Sequence, residues 1–286
     1  MKEIIKSVLK KIASFFNFTL SIRLSGNCFR IPILGGLGYG NFKMEEKWML
    51  VIIKNLLKIE SSKFVDVGAN IGQTLLKLRS VDEDIHYIGF EPNASCNHYL
   101  QRLIKRNAIK NVRILPVGIS TKTEIGALHF YEDNVTDSSA SILSNFRENK
   151  ILHKTFIPIF NVETLQNTVD FDKISILKID VEGSELEVLQ SFKKQINHSN
   201  PFILMEILPV YDALKNGRRL ERQQNIQEIL NELNYSIFRI KKNKNELLGL
   251  SKIENFGVHS NLNACDYVFV PNIKLDKFLD LFKVYL

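Results

Sequence analysis

The stretch FVDVGANIGQ, residues 64–73, sets three apolar residues around one acid and then places two glycines four positions apart. A short apolar, β-branched run of this kind reads as a buried strand, and glycines at its end let the backbone turn tightly and approach a ligand. From Lys63 onward, short apolar runs alternate with helical patterns, which is the signature of a parallel sheet covered on both faces. The strand candidates are 64–67, 87–90, 112–117, 174–179 and 202–207. Helices are expected at 74–79, at 94–106 with Tyr99, Leu100, Leu103 and Ile104 on one face, and at 185–192. Ile226, Ile229, Leu230 and Leu233 mark a later helix, and 235–240 with 266–270 read as a closing strand pair. The fold class is therefore α/β, a doubly wound and mostly parallel sheet. The chain shows no internal repeat and no low-complexity tract.

Upstream of this pattern the period changes. Ile4, Ile5, Val8, Leu9, Ile12, Phe15 and Phe16 share one helical face, with Lys2, Lys6, Lys10 and Lys11 mostly opposite. Such a basic amphipathic helix packs on its own domain or a partner, or lies on a membrane surface. Asn17, Thr19, Ser21 and Arg23 interrupt it where a signal peptide would present a cleavage site. Phe18, Leu20, Ile22 and Leu24 then alternate with polar residues ahead of Ser25-Gly26-Asn27, so 18–32 reads as a β-hairpin. GGLGYG at 35–40 lacks the strand-to-helix context of a nucleotide loop and reads as a connector. Trp48, Met49, Ile52, Ile53, Leu56 and Leu57 repeat at helical spacing. The expected organisation is an N-terminal accessory region over 1–58, of helix, hairpin and helix, followed by the main domain over 59–286.

The chain has 286 residues, 45% of them hydrophobic, enough for a full core. Its formal net charge of +7 comes from scattered lysines rather than a massed run. Cys28, Cys96 and Cys265 stand far apart, with no CxxC and no histidine at ligand spacing, which argues against a disulfide framework or a zinc site and favours a reducing, cytoplasmic setting. No segment approaches the roughly 18 to 20 continuous apolar residues of a membrane span.

In a doubly wound sheet the ligand lies at the carboxyl ends of the strands, where Asp66-Val-Gly68-Ala-Asn70-Ile-Gly72 falls. The GxxxG spacing lacks the third glycine of a dinucleotide fingerprint, which weighs against an NAD-linked oxidoreductase. GFEPN places Glu91 at the tip of the second strand, where a carboxylate can accept both hydroxyls of an unphosphorylated ribose. On the fourth strand, alternation puts Lys178, Asp180 and Glu182 on one side. Two carboxylates at the mouth of a site are candidates for acid–base work. Ser184 and Glu187 fit a capping box, which assigns Glu187 a structural role. Glu206 at the tip of the fifth strand is a lesser candidate. His86 and His98 read as packed or exposed, and His129 and His153 flank a polar segment at 131–150.

FVDVGANIGQ, GFEPN, PVGIS and LKIDVEGSELEVLQ, in this order, resemble the FkbM family of S-adenosylmethionine-dependent methyltransferases over about residues 60–210. The resemblance implies a class I methyltransferase sheet with a last, antiparallel strand, and O-methyl transfer commonly directed at sugars or polyketide glycosides. It also implies that Asp66, Gly68, Asn70 and Gly72 hold the methionine part of the cofactor, that Glu91 holds its ribose, that Asn93 flanks the adenine, and that Val117 and Gly118 line the adenine pocket. PVGIS departs from many class I enzymes in lacking an acid near the adenine amine. Segment 131–150 resembles the family's variable acceptor region and is expected to act as a lid. The sulfonium methyl is already activated, so Asp180 or Glu182 would serve as the base for a hydroxyl acceptor, and a divalent ion such as Mg²⁺ bridging to sugar hydroxyls stays open. The expected partner is a sugar or glycan, in a bacterial surface polysaccharide or its precursor, with membrane contact through residues 1–16. A small-molecule acceptor remains an alternative. A nucleic-acid acceptor would suit the charge, but no NPPY-type tetrapeptide is present.

Overall fold

A computed structural model describes residues 16–132, 137, 140–144 and 150–286. The described chain opens with strands β1 (Phe18–Leu24) and β2 (Asn27–Ile33), which pair as an antiparallel hairpin. Helices α1 (Tyr39–Lys43) and α2 (Trp48–Ile59) follow. The expected hairpin and second helix are thus present, and the GGLGYG connector ends in a short helical turn. The expected helix at the very start of the chain lies outside the described residues.

The central sheet is built from β3 (Lys63–Val67), β4 (His86–Phe90), β5 (Val112–Leu115), β9 (Ile174–Ile179), β10 (Phe202–Glu206), β11 (Tyr235–Lys242), β12 (Leu247–Ile253) and β13 (Asp266–Pro271). Its order is β12-β11-β13-β10-β9-β3-β4-β5. The pairs from β10 through β5 are parallel, while β13 inserts antiparallel between β10 and β11. This is the class I methyltransferase sheet with its reversed last strand. β12 adds an antiparallel edge strand that the sequence pattern did not reveal, because its alternation is broken by Gly249 and Ser251.

Between β5 and β9 the chain leaves this sheet and builds a second one from β6 (Gly118–Ile119), β7 (Glu124–Phe130) and β8 (His153–Phe160), in the order β6-β8-β7. The expected strand 112–117 therefore stops at Leu115, and Gly118 belongs to the small sheet, paired with Ile159. The break follows from Pro116, which cannot donate to a ladder.

Helices α3 (Gln73–Arg79), α4 (Ala94–Arg106), α5 (Glu185–Ser199), α6 (Gly217–Glu232) and α7 (Leu275–Phe282) cover the sheet. Strand alternation sends Val65, Val67, Leu177 and Ile179 to one face, against Leu186, Leu189, Phe192 and Ile196 of α5 and Ile226 and Leu230 of α6. Phe64, Ile176 and Phe202 go to the other face, against Trp48, Ile52 and Leu56 of α2 and Phe278 and Phe282 of α7. Helix α2 thus covers the sheet directly. The hairpin packs through Phe29, Ile31 and Ile33 on Tyr99 and Leu103 of α4.

The expected capping box at the start of α5 does not form. Ser184 sits at the N-cap position without a side-chain cap bond, and Glu185 turns back instead, its Oε1 accepting the Gly183 N–H at 2.8 Å. Glu187 is indeed structural, but through Arg222 of α6, whose Nη1 donates to its Oε1 at 2.8 Å and whose Nη2 reaches the Gly183 carbonyl at 2.8 Å.

Candidate active site

The turn that opened the sequence reading leads from β3 into α3. Gly68 (φ +90) and Asn70 (φ +45) both have positive φ, the first an easy conformation for glycine and the second one that asparagine tolerates. A Cβ on Gly68 would lie 1.8 Å from the Asp180 carbonyl oxygen, so glycine here lets the ends of β3 and β9 touch. Gly68 N–H donates to the Phe90 carbonyl at 3.0 Å and Asp180 N–H to the Val67 carbonyl at 3.0 Å, which locks three strand ends together.

Above these strand ends lies a cavity of about 310 Å³. Gly68, Asn70, Glu91, Asn93, Val117, Gly118, Asp180 and Glu182, all singled out from sequence, line it. Asp66 and Gly72 do not. Asp66 is fully buried on β3, where Tyr87 Oη donates to Oδ2 at 2.6 Å and Lys178 Nζ to Oδ1 at 3.3 Å. Both its oxygens serve this internal network, so Asp66 fixes Lys178 rather than facing a ligand. Gly72 (φ +84) precedes α3, and a Cβ there would meet Leu100 and Leu103 of α4 at 2.7 and 3.0 Å. It permits close packing of two helices behind the cavity.

Glu91 closes one end. Asn70 N–H donates to its Oε2 at 2.7 Å and Asn93 N–H to its Oε1 at 2.8 Å, so the two loops after β3 and β4 orient one carboxylate. Burial pushes its pKa up to about 7 against the pull of those two amides. Asn93 also caps α4, its side chain accepting the Ser95 N–H at 2.9 Å. Cys96 lines the same end and donates from Sγ to Asn70 Oδ1 at 3.3 Å.

The other end is acidic. Lys178 Nζ bridges Asp66 and Asp180, the latter at 3.1 Å. Burial alone would lower the lysine, but Asp180 and Asp66 together hold it above its ordinary value, as a firm cation. Strand β9 stops at Ile179 and Glu182 adopts φ +55, so Glu182 reaches the cavity from a left-handed turn rather than by strand alternation. Glu206 at the end of β10 lines the cavity as well, together with Glu45 and Glu46 from the N-terminal region. Glu45 and Glu46 carry no site signal in the sequence, because the periodic apolar residues that follow them speak only for packing. Glu46 holds the buried Lys77 of α3 at 2.9 Å.

The remaining wall comes from the small sheet and the segment between its strands β7 and β8, with Leu128, Asp137, Ala140 and Ile142. Asp137 is buried and its Oδ2 accepts the Tyr131 N–H at 2.6 Å. The rest of the expected lid, residues 133–136, 138–139 and 145–149, lies outside the described residues. None of the lining residues is a histidine: His129 Nδ1 lies 3.3 Å from the Ser141 carbonyl, and His153 stacks on Phe130 at 4.3 Å. Among the described residues no three His, Cys, Asp or Glu side chains converge as metal ligands, so the suggested Mg²⁺ bridge has no support here.

This geometry meets an independent likeness. A family model described as the methyltransferase FkbM domain matches residues 66–240, more than half of the chain. The chain belongs to the FkbM methyltransferase family. Its sequence is 24% identical over 145 residues to Methyltransferase 1 of Beauveria bassiana (strain ARSEF 2860), a match that covers 46% of this chain and 58% of that protein. Among solved structures, the FkbM methyltransferase of Methylobacillus flagellatus KT is 19% identical with a TM-score of 0.45, covering 73% of this chain and 43% of that one. An S-adenosylmethionine-dependent O-methyltransferase of Thermotoga maritima is 13% identical with a TM-score of 0.42, covering 87% and 76%. The chain thus spans less than two thirds of the length of Methyltransferase 1 and of the Methylobacillus structure. The donor set at one end of the cavity, the Glu91 carboxylate held by two backbone amides beside a glycine turn too tight for any Cβ, is compatible with a ligand that carries hydroxyls, such as the ribose of S-adenosylmethionine.

Proposed function

We propose that the chain is an S-adenosylmethionine-dependent O-methyltransferase acting on a sugar hydroxyl. One observation carries this reading: a single cavity joins Glu91, in a cradle suited to a ribose, to Asp180, whose Oδ2 accepts from Lys178. In it, Glu91 would accept the ribose hydroxyls, with Asn70 and Gly68 beside the amino-acid part and Val117 and Gly118 beside the adenine. When bound, the cofactor would supply an activated sulfonium methyl for the acceptor oxygen, with a neutral thioether as the leaving group. The chain's own part is alignment and proton handling. Asp180, fixed in place by the Lys178 ammonium at 3.1 Å, would take the hydroxyl proton. Ile142, Ala140 and Leu128 supply an apolar wall that limits water at the reacting centre.

A polyol suits the acidic end of the cavity better than an anionic acceptor, since carboxylates can accept from several hydroxyls but repel phosphate. A glycan of a bacterial surface polysaccharide, or its precursor, is the acceptor class we favour. The lysine-rich face and apolar stripe of residues 1–16 speak for contact with anionic lipid, where such precursors are assembled. No described helix is long and apolar enough to cross a membrane. The test is methyl transfer from isotopically labelled S-adenosylmethionine to a panel of neutral methyl glycosides, read by mass spectrometry, beside matched amines and oligonucleotides. Labelling of amines or nucleic acid alone refutes the sugar assignment. Binding of NAD in preference to S-adenosylhomocysteine refutes the methyltransferase itself.

A further inference from the structure

Among the described residues, the lysines at the acidic end of the cavity are all spoken for. Lys178 lies between Asp66 and Asp180, Lys77 holds Glu46, and Lys242 of β11 pairs with Asp266 of β13 while its ammonium sits 4.4 Å above the Trp48 ring. Glu206 is the carboxyl left over. It stands directly opposite Asp266 in the β10–β13 ladder, a like-charge cross-strand pair. It lines the main cavity, and it also lines a small recess behind it bounded by Trp48, Met49, Tyr267 and Ile240. One side of Glu206 therefore faces the acceptor end of the site and the other a recess where these side chains are joined by Glu46, Asp180, Asp266 and Lys178, the last already paired with Asp66 and Asp180.

We propose that Glu206 is a neutral carboxylic acid that donates a hydrogen bond to the acceptor beside the lysine-paired Asp180, and so is a further catalytic residue of this site. The inference rests on the O-methyltransferase reading above. Two carboxyl groups with opposed environments can divide acid and base roles, and here the environments differ by one ammonium. Lys178 serves Asp180 and holds it as the base. Glu206 has no cation of its own and faces Asp180, Glu182 and Asp266, so ionising it would add a charge to an already negative cluster. Burial is the largest effect, and with those three carboxylates it pushes Glu206 up to about 9 against the pull of Lys242. Lys178 on β9, Glu46 ahead of α2 and Tyr267 of β13 border the same recess, and Cys265 ahead of β13 lies close enough for Glu206 to raise its thiol. As a donor, the acid would fix an oxygen neighbouring the reacting hydroxyl, which itself must donate to Asp180. A vicinal diol provides both partners: one hydroxyl gives its proton to Asp180 while its neighbour accepts from Glu206.

The ionisation is read without any acceptor. In the full chain labelled with carboxyl-¹³C glutamate, the resonance missing from Glu206→Gln should titrate near pH 9. A midpoint below about pH 6 overturns the proposal, since the group would then be an ordinary carboxylate. Turnover on the methyl glycoside panel supplies the second readout. Glu206→Ala should lower kcat/KM by about a hundredfold, and Glu206→Gln, which keeps a neutral donor, should recover at least tenfold of that loss. Wild-type kcat/KM should fall as pH rises through 9, while that of Glu206→Gln should not. Equal losses in the two variants overturn the donor role. If no glycoside is methylated while the resonance still titrates near pH 9, the sugar O-methyltransferase reading falls and the neutral carboxyl stands.

Discussion

Replacing Gly68 with alanine asks whether the opening motif needs glycine for its dihedral angle or for its contact. Three glycines separate the two causes. Gly26, in the turn between β1 and β2, has φ +92 but a Cβ there would touch nothing within 4 Å. Gly217, at the start of α6, has the same open space and no positive φ. Gly68 has φ +90 and a Cβ position 1.8 Å from the Asp180 oxygen and 2.9 Å from its carbonyl carbon. Both obstructing atoms are backbone, so no rotamer relieves the clash. Positive φ costs an alanine ~1–2 kcal/mol, and forcing atoms into a packed interior costs a further ~1–3 kcal/mol. The expected losses are therefore ~1–2 kcal/mol for Gly26→Ala and ~2–5 kcal/mol for Gly68→Ala, while Gly217→Ala should gain ~0.5–1 kcal/mol through a less flexible unfolded chain. Urea denaturation of the three variants gives these values directly, and calorimetric titration with S-adenosylhomocysteine should show weakened binding for Gly68→Ala alone. If Gly68→Ala is no less stable than Gly26→Ala, the close approach of β3 to β9 is not what requires glycine at this position.

Three further outcomes follow from the site. Glu91→Ala should weaken S-adenosylhomocysteine binding by ~1–3 kcal/mol, and wild-type affinity should decline as pH falls through about 7, where the raised carboxyl takes up a proton and loses acceptor capacity, a decline absent from Glu91→Gln by calorimetry. Lys178→Met should cost ~3–5 kcal/mol of folding stability at mildly alkaline pH, because Asp66 is left buried without its cation. Without its lysine, Asp66 has a folded pKa above its unfolded one, so that cost is present at high pH and shrinks as pH falls, and denaturation curves at two pH values check the sign. Asp180→Asn should keep cofactor binding while lowering turnover on a hydroxyl acceptor by roughly 10²-fold, and near-normal turnover in single-turnover assays would remove it as the base.

The parallel half of the sheet was legible because each buried strand is a short apolar run ended by glycine or an acid, and Ile174–Ile179 was bounded to the residue. Other parts were hidden for identifiable reasons. Pro116 was read as continuing a strand, whereas its missing donor ends one sheet and lets residues 118–160 start another. Glu182 was placed by counting alternation past the point where the ladder stops, and a left-handed residue has no alternation to count. Asp66 looked like a ligand-binding acid because it stands at a strand end beside glycines, yet its side chain points to the face that α2 covers.

Local chemistry alone determined the doubly wound class, the closing strand pair, the Gly68 turn and the Glu91 tip, since these depend on residue periodicity and on backbone conformations that few residues adopt. Only the tertiary structure decided how the charges are shared out. Lys178 and Asp66 are 112 positions apart and meet because β9 and β3 are neighbours, Lys242 reaches Asp266 because β13 folds in beside β11, and Glu45 and Glu46 arrive from a region whose periodicity speaks only of packing. An ion pair stabilises or strands a carboxylate over a few ångströms, a distance set by strand order. For that reason Asp180 and Glu206, both acids at strand ends, could be told apart only once it was known which of them had a lysine beside it.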